Sequence, residues 1–457
     1  MKRLAMLAVI VLLGLVVPVS NILIKPSASG IFPATAASDP AFAKVTELLA
    51  KKCIYCHAPG VKMPFYASLP GVKQLVDHDV RTGLRRYDLA QEFSPPAGKP
   101  IGEAALAALE YAVNSGTMPP PQFLVVHWDT FLCAADKAAV NDFVKQVRAK
   151  HYATPGVAAE FQAEAVQPLV VPEGLPPAKV ALGDKLFHDK RLSHDDSIAC
   201  AGCHALDKGG TDRARFSTGI KGALGPINAP TVYNSGFQFK QFWDGRAATL
   251  EEQASGPVNN PLEMGSNWPE ALGKLQKDAA LMAEIQAVYP GELSSENVVD
   301  AIATFERSLV TVDSPFDQYL KGKADAIGAP EKAGYALFKS LGCTRCHMGK
   351  LLGGQSFERM GQERDYFAER GELKDADNGR FNVTKDPADK HCFKVPTLRE
   401  LEKTAPYFHD GSVASLPEAV QKMIRYQTEE DVTPAQIEQL VAFLKSLNGR
   451  YNGKPLD

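Results

Sequence analysis

Apolar residues in this chain recur chiefly at intervals of three and four, the spacing that lines one face of a helix. Residues 42–49 carry Phe42, Val45, Leu48 and Leu49, residues 180–187 carry Val180, Leu182, Leu186 and Phe187, and residues 333–338 carry Tyr335, Leu337 and Phe338. Each set predicts a helix with one buried stripe. The run from Thr433 to Leu447 predicts another amphipathic helix near the end of the chain. Between these stretches the period breaks. Pro155, Pro168, Pro172, Pro176 and Pro177 predict an extended linker. A second break falls near Lys321 to Pro330, and the polar segment Glu369 to Lys390 reads as a surface excursion. The pattern predicts a mainly α fold.

The pattern changes at the N-terminus. Lys2 and Arg3 precede an uncharged, mostly apolar run from Leu4 to Ile24, which Lys25 ends. A helix needs roughly 20 apolar residues to span a bilayer, and this run has about that length. The apolar core of a cleaved signal is shorter, about 7–15 residues. Residues 1–30 therefore predict a signal-anchor in a bacterial inner membrane, with the rest of the chain in the periplasm. Over the whole chain, 45% hydrophobic and 23% charged residues are ordinary for a soluble globular protein. A length of 457 residues predicts several domains, and a net charge of −3 gives no basis for nucleic-acid binding.

The chemistry is concentrated in the cysteines. Six of eight lie in three copies of Cys-x-x-Cys-His: Cys53, Cys56 and His57; Cys200, Cys203 and His204; Cys343, Cys346 and His347. This pattern attaches c-type haem through two thioethers and ligates its iron with the adjacent imidazole. A zinc clamp would need a second ligand pair at matching spacing. Cys133 and Cys392 remain, either paired or free. The motifs recur at nearly even, domain-sized intervals, and each follows a predicted helix, an order similar to the start of class I cytochromes c. The expected architecture is three cytochrome c-like helical haem domains in tandem behind the N-terminal transmembrane anchor. The domains span 38–155, 178–325 and 326–457, with a Pro-rich linker over 156–177.

The sixth iron ligand decides what each haem does, because a His/Met haem carries electrons while an open one binds a small molecule. Met118, between Gly116 and Pro119, is the candidate for the first haem; Met63 is too close to His57 to reach the far face. Met423 is the candidate for the third haem, with Met360 an alternative and Met348 excluded beside His347. The second haem has no convincing Met or His, and Met264 after Glu263 reads as pocket wall. An open iron served by two carriers is the layout of a redox enzyme.

Longer motifs carry a resemblance. Residues Gly225 to Asn234, Gln241 to Arg246, Asp313 to Asp317 and Thr404 to Gly411 resemble the bacterial di-haem cytochrome c peroxidases over roughly Pro176 to Asn448. The extra haem motif and the anchor make the chain similar to a tri-haem, membrane-anchored quinol peroxidase branch. The resemblance implies a peroxidatic haem at Cys200, Cys203 and His204. It implies Glu263 as catalytic acid/base, Gln253 as its pocket partner and Trp243 between two haems. It implies a donor haem at Cys343, Cys346 and His347 with Met423 axial. It also implies a calcium ion held by the Asn228 side chain and the carbonyls of Thr404 and Pro406. Many di-haem members carry a blocking His in the loop that here reads Ser217 to Gly222; Ile220 cannot ligate, which implies an enzyme with less need of reductive activation.

A carboxylate above the iron can move a proton between the two oxygens of hydrogen peroxide, first as base and then as acid. Electrons would come from a membrane quinol, or from a small cytochrome or cupredoxin. The competing expectation is a tri-haem electron-transfer cytochrome without peroxidase activity, which requires a sixth ligand on every iron.

Overall fold

The computed structural model describes residues 15–24, 26, 30–33, 39–96, 98–428 and 430–456. The chain divides into two compact units, residues 1–153 with 162–165, and residues 154–161 with 166–457.

In the first unit, helix α1 (Pro40–Lys52) begins where the Asp39 carboxylate accepts the N–H groups of Ala41 and Phe42. The short α2 (Ile54–His57) follows, then α3 (Val72–Arg86), α4 (Glu103–Ser115) and α5 (Ala134–His151). Phe42 of α1 stacks on Phe143 of α5 with ring centroids 5.7 Å apart. Around them Val45, Leu49, Ile54, Leu106, Val140 and Val144 close the core. The first haem motif is pressed onto α3 at Gly83, where a Cβ would lie 2.3 Å from the Cys56 carbonyl oxygen. Only glycine permits that approach. Arg148 of α5 is buried and donates to Glu103 (2.7 Å) and Glu110 (2.6 Å) of α4, which locks the two helices together.

The second unit contains α6 (Pro177–Phe187), α7 (Cys200–Cys203), α8 (Leu250–Asn259), α9 (Ser295–Ser308), α10 (Ala329–Ser340), α11 (Leu416–Gln427) and α12 (Pro434–Lys445). Strands β1 (Phe357–Arg359) and β2 (Cys392–Lys394) pair antiparallel. One packing device occurs twice. Where α6 crosses α9, a Cβ on Gly183 would fall 2.0 Å from the Ala301 carbonyl oxygen and 2.8 Å from Cβ of Phe305. Where α10 crosses α12, a Cβ on Gly334 would fall 1.9 Å from the Gln439 carbonyl oxygen and 2.9 Å from Cβ of Phe443. In each case the helix before a haem motif meets a later helix backbone to backbone, with an aromatic ring beside the contact. One core gathers Leu182, Phe187, Ile302 and Phe305, and another gathers Tyr335, Phe338, Leu440 and Phe443.

The fold is mainly helical, as the periodicity predicts. The C-terminal helix starts at its Thr433 cap, where Gln436 returns a hydrogen bond to the Thr433 N–H at 2.8 Å. The Pro-rich stretch packs rather than runs through solvent. Val166 and Leu169 are fully buried, and the Gln167 carbonyl accepts from Arg399 Nη2 at 2.9 Å. The polar segment Glu369 to Lys390 is not a simple surface excursion. Asp377 is buried within it, paired with Arg370 (2.5 Å) and with His409 Nε2 (2.7 Å). Cys133 and Cys392 form no disulfide.

The expected membrane anchor, and with it the inner-membrane localisation, is corrected. Residues 1–14 lie outside the described residues, and residues 15–23 are helical. Among the described residues no helix is long and apolar enough to cross a membrane. The physical reason lies partly in Asn21, which is buried and donates to the Val126 carbonyl at 2.7 Å and to the Tyr66 hydroxyl at 3.3 Å. That amide ties the helical segment to the first unit.

Arg399 makes a sensitive test of the second unit. Its side chain is fully buried and donates to Asp317 Oδ2 (2.8 Å) and to the carbonyls of Lys350 (2.7 Å) and Gln167 (2.9 Å). Arg399→Leu leaves a buried carboxylate without its cation and should lower unfolding stability by about 3–5 kcal/mol in urea denaturation. The double variant Arg399→Leu/Asp317→Leu should recover much of that loss. Equal losses in the single and double variants would mean that the ion pair is not what holds this region.

Candidate functional site

Each Cys-x-x-Cys-His motif folds as one tight turn. The histidine N–H donates to the carbonyl of the first cysteine, His57 to Cys53 (3.1 Å), His204 to Cys200 (3.0 Å) and His347 to Cys343 (2.9 Å). This turn gathers two sulfurs and an imidazole at one spot. The rings are then oriented by the main chain. His57 Nδ1 lies 2.9 Å from the Tyr87 carbonyl, and His347 Nδ1 lies 2.9 Å from the Leu352 carbonyl. Donation from Nδ1 leaves the Nε2 lone pair for a metal. Burial pushes the His347 pKa down to about 4 and lowers that of His204 as well, so both rings stay neutral. His204 Nδ1 is buried without a full hydrogen bond, and the nearby Gly210 and Pro230 carbonyls only partly offset the burial.

The sulfurs fit covalent attachment better than a zinc clamp. Burial pushes the Cys53, Cys200, Cys343 and Cys346 thiols up to about 12 and Cys56 up to about 11. A zinc site needs thiolates, whereas a thioether carries no charge and suits an apolar wall. Among the described residues no group of three His, Cys, Asp or Glu side chains is arranged to hold a metal ion by itself. A neutral imidazole with two buried thiols is the donor set that haem takes.

Near the second motif, α8 and the turn after it carry Gln253 and Glu263. Gln253 is half-buried on α8. Glu263 follows in the turn, where Asn260 Nδ2 donates to its Oε1 at 2.7 Å. Glu263 is half-buried and lies close enough to raise the Cys200 and Cys203 thiols further. Burial raises the Glu263 pKa above the ordinary value, with Arg246 and Asn260 opposing. The loop over Ser217 to Gly222 folds against this acid, with the Ile220 N–H donating to the Glu263 carbonyl at 2.8 Å. Ile220 is itself buried and presents an apolar side chain there. Met264 is buried in the core with Ala254 and Val258 of α8.

Trp243 lies in a cluster that joins two parts of the second unit. Its Nε1 donates to the Asn228 carbonyl at 3.0 Å and its ring meets Phe393 edge-on with centroids 6.5 Å apart. Trp243, Phe408 and Met423 all pack against the buried cluster of Met360, Tyr366, Phe367, Phe393 and Tyr426. Met423 of α11 and the alternative Met360 thus share one neighbourhood. The Asn228 N–H donates to the His409 carbonyl at 2.8 Å, which sets Asn228 against the segment containing Thr404 and Pro406. Its Nδ2 donates to the Ala214 carbonyl at 2.9 Å, so Oδ1 is the atom left to meet a cation. In the first unit, Met118 lies in the loop after α4, 37% exposed, just past Gly116 at φ +76°.

Sequence reasoning missed the polar residues that hold this frame. The His409 ring stacks on Phe393 at 4.4 Å and meets the edge of Trp243 at 6.4 Å, while Asp377 fixes its Nε2. Glu306 of α9 is buried near Cys200, with its pKa pushed up to about 8 by burial and with Oε2 unpartnered. The tract Asn260 to Glu263 and the pair His409-Asp410 signal functional polarity in the sequence. Asp377 and Glu306 carry no local signal, because nothing in the sequence around them shows that these two acids are buried.

Comparisons with known proteins agree with this chemistry. Residues 177–325 match the family described as di-haem cytochrome c peroxidase, and residues 21–146 match a haem-binding domain. The chain is 46% identical over 405 residues to cytochrome c peroxidase Ccp of Escherichia coli, covering 88% of this chain and 86% of that one. It is 43% identical over 301 residues to cytochrome c551 peroxidase of Nitrosomonas europaea, covering 65% and 87%. A crystal structure of a MauG-like protein associated with microbial copper homeostasis superposes with a TM-score of 0.55 at 29% identity, covering 62% of this chain and 93% of that one. The turns, the neutral histidines and these likenesses converge: the chain belongs to the di-haem cytochrome c peroxidase family and is a haem peroxidase.

Proposed function

We propose that the chain binds three c-type haems and reduces hydrogen peroxide to water at the second, with a quinol as electron donor or, in its place, a small cytochrome or cupredoxin. The observation that carries the reading is Glu263, a half-buried acid of raised pKa beside Cys200 and Cys203, faced by a loop in which Ile220 offers iron no ligand. Haem, when bound there, supplies the metal that receives peroxide and the electrons that reduce it.

The chain's own groups then have distinct tasks. Glu263 takes a proton from one peroxide oxygen and delivers it to the other, and burial strengthens it as a base by holding its pKa above the ordinary glutamate value. Gln253 orients peroxide by hydrogen bonding. Met118 and Met423 would hold the iron of the first and third haems, and a His/Met pair there would make those two sites electron carriers. Trp243, held by the Asn228 carbonyl, lies on the path from the third site to the second. Asn228 Oδ1 and the carbonyls of Thr404 and Pro406 hold calcium, an oxygen-only set that suits a hard cation. The overall balance is one peroxide, two protons and two electrons to two waters. An electron-transfer cytochrome would need a ligand in the position of Ile220 or Glu263, and neither side chain is a usual sixth ligand for a low-spin haem.

Stopped-flow mixing of the fully oxidised protein with hydrogen peroxide tests the reading. Loss of a high-spin ferric band without prior reduction is expected; no reaction in the oxidised or the half-reduced state would sink it. Ile220→His should then impose a requirement for reduction before reaction. Glu263→Gln should lower turnover by about 10²–10⁴-fold. Because Glu263 must start as the base, turnover of the parent enzyme should fall with decreasing pH at a midpoint above the ordinary glutamate range, and the Gln variant should lack that limb. Gly219→Ala is a positional test, since a Cβ there would lie 2.0 Å from the Leu262 carbonyl oxygen. It should displace Glu263 and cost about 10–100-fold in turnover at unchanged haem content.

A further inference from the structure

The first unit contains a polar pair that the peroxide chemistry does not use. His127 is buried, and its Nε2 lies 2.5 Å from the Tyr66 hydroxyl. The imidazole stacks on Phe123 with centroids 3.9 Å apart and tilts against Tyr55 at 5.1 Å. Tyr55 is inside the Cys53–His57 motif, so the pair borders the first haem site. Asn21 Nδ2 donates into the Tyr66 oxygen. In the tautomer of His127 that carries its hydrogen on Nδ1, Nε2 accepts the Tyr66 proton while the Tyr66 oxygen accepts from Asn21. The arrangement is a two-step proton relay pointing inward.

The rim of the pair is apolar. Phe65, Leu69, Val125 and Trp128 are each about half exposed or more. They belong to the same two segments that supply Tyr66 and His127, and Trp128 Nε1 fastens to the Val125 carbonyl at 2.9 Å. Exposed apolar groups gathered around a buried polar pair mark a ligand site more often than an ordinary surface. A protein donor passes an electron and has no use for a proton acceptor. A hydroquinone has an apolar ring and must lose protons with its electrons.

We propose that Tyr66 and His127 form the site at which a hydroquinone is bound and oxidised by the first haem. This rests on the quinol reading of the donor given above. As one hydroquinone O–H bond breaks, its proton goes to the Tyr66 oxygen, the Tyr66 proton passes to His127 Nε2, and one electron goes to the ferric haem of the first motif. His127 then releases its proton to water. A second such event leaves the quinone, with two electrons and two protons delivered in all, the number that one peroxide consumes.

The test uses the full-length, haem-loaded protein and a short-chain quinone. Isothermal titration of the oxidised protein with the quinone should show one site, and Tyr66→Phe and His127→Gln should each weaken it about tenfold. Peroxide reduction is then driven either by the corresponding hydroquinone or by a ferrocene donor, which gives no proton. The ratio of hydroquinone-driven to ferrocene-driven turnover should fall at least tenfold in His127→Gln. Val125→Glu, at a position 67% exposed on the rim, should leave the fold intact by circular dichroism and raise the KM for hydroquinone severalfold. If the parent protein binds quinone and oxidises hydroquinone while all three variants match it, the site is wrong and the quinol reading stands. If the parent protein neither binds quinone nor oxidises hydroquinone yet turns over with ferrocene, the quinol reading fails and the site with it.

Discussion

A histidine ligates a metal only when it is neutral and turned the right way, and the rest of this molecule is arranged around meeting that demand. The Cys-x-x-Cys-His turn brings the ring to the right place but does not set its charge or its angle. Burial removes the charge, most strongly at His347. A main-chain carbonyl fixes the angle, from Tyr87 in one case and Leu352 in another. Those carbonyls come from segments outside the motif. The motif is therefore a local signature whose function depends on distant packing, and the helix crossings are what supply that packing.

The second unit carries a further constraint in Asn228. Its N–H, its side-chain amide and its carbonyl are engaged by three different partners: His409, Ala214 and Trp243. One residue thus ties Trp243 to the segments that carry Ala214 and His409. His409 is in turn held by Asp377, whose carboxyl is drawn down to about 2 by its hydrogen bonds to Arg370, the Lys374 N–H and His409, against the cost of burial. An ionised Asp377 requires a hydrogen on His409 Nε2, which fixes that ring as a rigid neutral plate against Phe393.

What could be read from the sequence depended on whether the information was local. The helices before each motif were legible because Val45, Leu186 or Phe338 repeat at helical spacing along one short segment. The motifs themselves were legible because ligand chemistry is compressed into five residues. Glu263 was legible only through resemblance, since a lone glutamate has no period and no spacing. Asp377 was illegible because a polar stretch looks the same whether its charges face water or each other. Gly183 and Gly334 have no signal of their own in the helical pattern, yet each lets two helix backbones meet where a Cβ would fall about 2 Å from a carbonyl oxygen. The apolar N-terminal run showed composition but not partners, and the partner of Asn21 turned out to be protein.

The two glycine crossings have a consequence for how this architecture can vary. Each pair of helices is separated by the thickness of a peptide plane, with an oxygen standing where a methyl group would have to go. The spacing of each helix pair is thus set by a missing atom. Side chains elsewhere on these helices can drift in size and be absorbed by repacking. At Gly183 and Gly334 no small step exists, because the next larger residue is already a wedge between two backbones. Sequence change at these crossings must be abrupt or absent, while the surfaces a few ångströms away are free to diverge.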